Sequence, residues 1–287
     1  MYDATSPSEP AAATAMHGSV ELAFCGGNGG TRLTRLYQRA PLRVLFPVAD
    51  ACGIKQAVLL TTSGGLVGGD RLDVRVAAKE GAAILVTPQA AEKVYRSLGP
   101  DCRIDVRLAA DADSWLEWLP QETILFDGAH LDRSTVIDTA RGARVLAGEM
   151  LVFGRRARGE TLRRGRLREA WQVRRDGRLL WADTLKADGD LHALLAAPAC
   201  LAGAAAAATA IYLGEGSDAA LALARDLTAT GDAGEMAAAA SLVGGLLVVR
   251  WLAKDARLMR DAFGRFWAAM RRLLGGWPEV LPRVWCI

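Results

Sequence analysis

The sequence predicts a mainly β protein, built as a stacked, β-helix-like arrangement of layered sheets, with about two α-helices in the C-terminal third. Three observations carry this expectation. From about residue 18 to 190, apolar and polar residues alternate through one strand-length segment after another. A degenerate repeat runs through the middle of that region. Beyond it, apolar residues recur at helical spacing.

The chain opens with "MYDATSPSEPAAATAMH", residues 1–17, which holds acids and prolines and no basic stretch ahead of an apolar one. It reads as a disordered tail rather than a secretory signal. "AVLLTTS" then reads as a strand, and so does "RLDVRV", where Leu72, Val74 and Val76 alternate with Arg71, Asp73 and Arg75. Between them lies "GGLVGGD", residues 64–70. Gly64 and Gly69 have the spacing of a phosphate-binding loop, but Asp70 and Arg71 stand where that loop needs a lysine and a hydroxyl. A carboxylate there repels a triphosphate. The segment is a glycine-rich connection between strands, either a plain turn or a turn with a contact surface of its own.

The repeat begins at Val74 in "VRVAAKEGAAILVTPQA", at Val106 in "VRLAADADSWLEWLPQET" and at Val136 in "VIDTARGARVLAGEML". Each copy reads as strand, tight turn, strand. Gly81, Asp113 and Gly142 take the turn position, 32 and 29 residues apart. Units of this length bury a shared core by stacking. Gln89, Gln121 and Glu149 follow the three turns by seven or eight residues. Stacked in register, they form a polar column; otherwise each faces solvent.

Residues 193–213 carry no charge, yet they are mostly alanine and include Pro198 and Gly203, which argues against a membrane span. "SDAALALARDLTA" has helical spacing, and "SLVGGLLVVRWL" reads as two strands about Gly244 and Gly245. A helix follows over about 254–274, with Met259, Phe263, Phe266, Trp267, Met270, Leu273 and Leu274 on one face. Gly275, Gly276 and Pro278 end it. No linker interrupts residues 18–287, so they form one domain.

Composition narrows the function. In 287 residues, 51% hydrophobic, the net charge is +3, too small to imply a nucleic-acid partner. Five scattered cysteines with no C-x-x-C, and three scattered histidines, imply reduced thiols, a cytoplasmic protein and no dedicated metal or cofactor site. Glu117, Glu122 and Asp127 fall within eleven positions and suggest the paired carboxylates of a glycoside hydrolase. On a straight strand Glu117 and Asp127 would share a face, but Pro120 interrupts it. The segment 155–175 holds nine arginines, broken by Glu160 and Glu169, with Trp171 its one aromatic. That suits a solvated face or an acidic protein partner better than nucleic acid.

Several stretches together resemble the UreD/UreH family of urease accessory proteins: "GGLVGGD", "TPQAAEKVYRS", "EWLPQETILFDGA", "GRRARGE", "GRLREAWQVRRDGRLLWAD" and the terminal "PRVW". Their order and spacing match from about Gly18 to Trp285. Pro88 and Glu92 depart from the family's "TTQAATKVYRS". The resemblance implies a non-enzymatic urease maturation chaperone. It would bind apo-urease and recruit a second, UreF-like accessory protein and a UreG-like, nickel-carrying GTPase, for lysine carbamylation and nickel insertion. Nickel would be handled transiently, along a path lined or flanked by Asp70, Gln89, Gln121, Glu122, Asp127, Glu149 and Glu160; the other reading of these residues is that they cap turns or pair with nearby arginines. The alternative is a carbohydrate-active β-solenoid enzyme using its acidic residues.

Overall fold

The computed structural model describes residues 15–48, 51–229 and 234–286. Of the expected tail, residues 1–14 lie outside the described residues, while His17 already belongs to the first strand. The strands run in chain order as β1 (His17–Cys25), β2 (Arg32–Arg39), β3 (Leu42–Leu45), β4 (Lys55–Thr61), β5 (Arg71–Ala78), β6 (Ala83–Pro88), β7 (Glu92–Val94), β8 (Cys102–Ala110), β9 (Trp115–Trp118) and β10 (Glu122–Leu125). They continue as β11 (His130–Thr139), β12 (Arg144–Phe153), β13 (Arg164–Arg175) and β14 (Arg178–Asp190). The last stretch alternates helix and strand: α1 (Leu191–Ala196), β15 (Ala206–Leu213), α2 (Ser217–Ala229), β16 (Met236–Val243), β17 (Leu246–Ala253) and α3 (Ala256–Gly275). Two of the helices match the sequence reading. The third, α1, has six residues, too few for a helical period to show in the sequence.

The repeat is a set of stacked coils. Each copy sends one strand into a seven-stranded sheet, ordered β14-β13-β11-β8-β5-β1-β2, and the next into a ten-stranded sheet that includes β12-β9-β6-β4. Val74 pairs in parallel with Val106, and Val106 with Thr135. Ala83 pairs with Trp115, and Trp115 with Arg144. Both sheets therefore step by the spacing of the turns, and the third copy starts at Thr135, one residue before Val136. The turn residues explain the register. Gly81, Asp113 and Gly142 all adopt positive φ, at 67°, 57° and 82°. Glycine does so freely, and aspartate is among the few other residues that tolerate it.

Inward residues of the two sheets, among them Val74, Val106, Ile137, Val145 and Leu116, make the first core. A second core lies between the ten-stranded sheet and α2 and α3, where Met259, Phe263, Phe266, Trp267 and Met270 are all buried. The alanine-rich segment is the floor of this layer. Ala206, Ala208 and Ala210 of β15 lie buried beneath the helices, and a Cβ on Gly148 would stand 2.6 Å from the Phe263 ring. Small side chains let an aromatic helix settle onto the sheet, and the uncharged stretch divides between the end of α1 and the strand β15. No helix among the described residues is long and apolar enough to cross a membrane.

Candidate functional site

A cleft of about 240 Å³ opens between the sheets at the end where the loop 88–93, the glycine-rich turn and the chain around Pro120 come together. Its walls include Thr61, Gln89, Glu92, Gln121, Thr123 and Trp118, and its floor is Arg133 and Glu149. Arg133 sits on β11 at the parity of Leu131 and Ile137, so it points into the sandwich. There its Nη1 donates to Glu149 Oε2 at 2.8 Å and to Thr123 Oγ1 at 2.8 Å, and its Nε donates to Glu169 Oε2 at 2.5 Å. Trp118 Nε1 donates to Glu149 Oε1 at 3.0 Å.

All three charged groups are buried, and one guanidinium faces two carboxylates. Burial raises the Glu149 carboxyl, against the pull of Arg133 and Trp118. Burial likewise lifts Glu169 to about 8, opposed by Arg133 and assisted by Glu149. Arg133 Nη2, Glu169 Oε1 and Thr135 Oγ1 are left without partners, so the cluster is incompletely bonded. Beyond it lies a smaller cavity of about 50 Å³, lined by Glu149, Glu169, Asp183 and Thr209 among others. Glu149 borders both spaces. At the cleft wall, Glu92 accepts from Thr61 Oγ1 at 2.8 Å, and burial raises its carboxyl despite that bond.

The structure brings together three of the residues singled out from sequence. Gln89, Gln121 and Glu149 line the one cleft, with Gln89 exposed and the other two buried. Register brings Gln121 and Glu149 into one row, while Gln89 stands exposed just after β6. Trp118 pairs with Ala147, but after Pro120 Glu122 pairs with Met150, a slip of one residue. The slip aligns the position of Gln121 with Glu149. Arg260 of α3 reaches both neighbours: its Nη1 donates to Gln121 Oε1 at 2.6 Å and to Glu122 Oε2 at 2.7 Å, while Gln121 Nε2 donates to Val284 O at 3.1 Å.

The remaining candidates brace loops outside the cleft lining. Asp70, 1% exposed, accepts from Met16 N at 2.8 Å and Val67 N at 2.9 Å, closing the glycine turn. That turn packs closely: a Cβ on Gly68 would meet Ser97 Oγ at 2.1 Å and Pro100 O at 2.5 Å. Asp127 accepts from Arg163 N at 2.7 Å and Arg164 N at 3.0 Å, and Glu160 accepts from Asp127 N at 3.1 Å while pairing with Arg155.

The acids offered as a glycosidase pair do not form an open site. Glu117 is fully buried, bonded to Trp115 Nε1, Trp267 Nε1 and Arg271 Nε. Glu117 and Glu122 both meet α3, so the break at Pro120 puts these two on one face and sets Asp127 apart from them. The sequence reading missed Arg133, Glu169 and the placement of Glu92. A signal was present for the first two: Glu169 shares parity with Leu167, Trp171 and Val173, as Arg133 does with Leu131 and Ile137. A charged residue on the apolar parity of a strand is a buried charge.

Comparison with known proteins decides the family. Residues 16–286 match the UreD urease accessory protein family. The chain belongs to the UreD family. Among its relatives, the urease accessory protein UreD of Magnetococcus marinus (strain ATCC BAA-1437 / JCM 17883 / MC-1) is 47% identical over 286 residues, 99% of each chain. That of Methylobacterium sp. (strain 4-46) is 43% identical over 259 residues, 90% of this chain and 89% of the relative. That of Rhodopseudomonas palustris (strain HaA2) is 40% identical over 268 residues, 93% and 92% of the two chains. For this UreD-family member, the residues quoted in the resemblance divide into two kinds. The "TPQAAEKVYRS" stretch supplies Pro88, Gln89, Glu92 and Lys93 to the cleft wall, while Asp127 and Glu160 hold a neighbouring surface loop.

Proposed function

We propose that the chain is a urease maturation chaperone that works in the cytoplasm. It binds apo-urease and brings to it a UreF-like accessory protein and a UreG-like GTPase carrying nickel. It catalyses no reaction itself and holds no cofactor stably. In this reading the inter-sheet cleft passes nickel toward urease. The observation that carries it is the position of Glu149, which borders both the cleft and the cavity beyond. Gln89, Gln121, Thr123 and Glu149 set oxygen atoms along the lining, those of the last three already accepting from Arg260, Arg133 and Trp118, and Ni²⁺, a borderline ion, is held weakly by amides and hydroxyls. Weak, replaceable ligands suit transit better than storage.

The test co-expresses urease subunits and the accessory proteins with the chain or with Glu149→Leu. The expected result is lower nickel content per urease with urease and accessory-protein capture unchanged. Normal nickel content in a complex of normal composition would count against passage through the cleft. GTP hydrolysis by the purified chain would contradict its non-catalytic role.

A further inference from the structure

We propose that the loop carrying "GRRARGE" and the following "TLRR" is a preformed platform for a carboxylate-rich segment of a protein partner, separate from the inter-sheet cleft. Eight of the nine arginines of 155–175 divide into two groups; the ninth, Arg175, ends β13 with its Nε buried and unpartnered. Arg166, Arg168 and Arg174 lie on β13 and are matched by Asp101 and Asp188, by Asp132 and by Asp138 respectively. The arginines before the strand, and Arg164 at its first position, are not matched in this way. Arg155, Arg156, Arg158, Arg163 and Arg164 are exposed, and Arg96 joins them from the neighbouring loop, where its side chain lies against Gly128. Among the described residues only Arg155 of these six has an ion-pair partner, Glu160. Asp127 is the one other carboxylate woven into the loop. This single patch therefore carries a larger positive excess than the whole chain, whose net charge is +3.

The backbone beneath these side chains is tightly held. Asp127 accepts from two successive amides, Arg163 N and Arg164 N, and Glu160 Oε1 accepts from Asp127 N. Gly154 N donates to Leu125 O at 2.8 Å, and the Arg155 guanidinium sits 4.1 Å over the Phe126 ring. Gly154, at φ 83°, packs so closely that a Cβ would stand 2.7 Å from Glu160 O. The short 3-10 turn Arg156–Arg158 closes on Gly159 at φ 74°. Charged side chains left unpaired on a braced loop can bind with little further ordering of the backbone.

The chemistry selects carboxylates of a protein over the phosphates of a nucleic acid. Guanidinium forks pair bidentately with carboxylates. Binding of single-stranded nucleic acid also draws on aromatic faces for its bases. Here Trp171 is buried against Trp181, and Phe126 is covered by Arg155.

The test uses the full chain with two fluorescent probes of equal charge, an oligoglutamate peptide and an oligothymidylate, titrated at about 50 and about 150 mM salt. The platform variant is Arg158→Gln/Arg163→Gln/Arg164→Gln. The control, Arg75→Gln/Arg103→Gln/Arg107→Gln on the outer face of the seven-stranded sheet, changes the net charge equally. The platform variant should weaken peptide binding about tenfold or more and the control should leave it near wild type. Arg158→Gln alone should weaken it about threefold, which keeps the test open if the triple variant folds poorly. Asp127→Ala separates a braced platform from simple charge attraction. It makes the chain more positive, yet it should weaken peptide binding because the loop loses its brace. Equal losses in both triple variants, no loss in either, tighter peptide binding by Asp127→Ala, or tighter binding of the oligothymidylate than of the peptide would each overturn the proposal.

Discussion

Two buried ionic clusters lie among the described residues, one on each side of the ten-stranded sheet, and they are built to different standards. Under α3, Glu117 and Arg271 are both 0% exposed. Arg271 donates to Glu117, to the carbonyls of Pro278 and Val280 and to that of Cys52, while Glu117 also accepts from Trp115 and Trp267. This cluster is a fastener that ties β9, the 52 loop and the C-terminal segment to one helix. Between the sheets, Arg133 serves two carboxylates and leaves unpaired atoms beside two cavities. Buried charge is costly, and full bonding is what makes it tolerable. The cluster that stays incompletely bonded is the one that floors the cleft.

Breaking the fastener should have the largest effect. Arg271→Met strands a buried carboxylate and three carbonyls, and should cost about 3–5 kcal/mol in denaturant unfolding, enough to unfold a marginal domain. Arg133→Met sharpens the contrast. Because Glu149 and Glu169 are raised by burial, they can take up protons when the guanidinium is gone. The expected outcome is a small loss at acid pH that grows to about 3 kcal/mol at alkaline pH. A pH-independent loss as large as that of Arg271→Met would erase the distinction.

Glu169→Gln should act more gently. From 4.5, its ordinary value, to about 8, the folded chain keeps on Glu169 a proton that the unfolded chain releases. The stability contributed by this group is fully present below pH 4.5 and is lost as the pH rises to about 8. The amide should remove that slope and make the protein about 1–3 kcal/mol more stable than wild type above about pH 8. A pH series of thermal midpoints checks both the slope and its sign. Gln89→Leu should have the smallest effect on folding, within about 0.5 kcal/mol, since the side chain is exposed. Its readout is nickel content of co-expressed urease, which should fall if the cleft is the route and stay normal if it is not.

The sequence by itself determined the coils, the two longer helices and the turns between the coils' strands. Local physics decides those features. Gly81, Asp113 and Gly142 mark positive φ at a repeating interval, and the apolar face of α3 is written in consecutive turns of one helix. The quoted stretches also pointed to the family. Only the tertiary structure decided which polar residues meet. Arg133 and Glu169 are 36 residues apart and become neighbours because β11 and β13 pair in parallel with Arg133 opposite Glu169. Gln121 reaches the row of Glu149 because the chain slips by one residue at Pro120. Asp70, Asp127 and Glu160 look like ligands in the sequence and are braces in the fold, because each turns its oxygens onto backbone amides nearby. Strand alternation tells which side of a sheet a residue faces. What stands opposite is set by register and by the neighbouring layer, and those are properties of the whole chain.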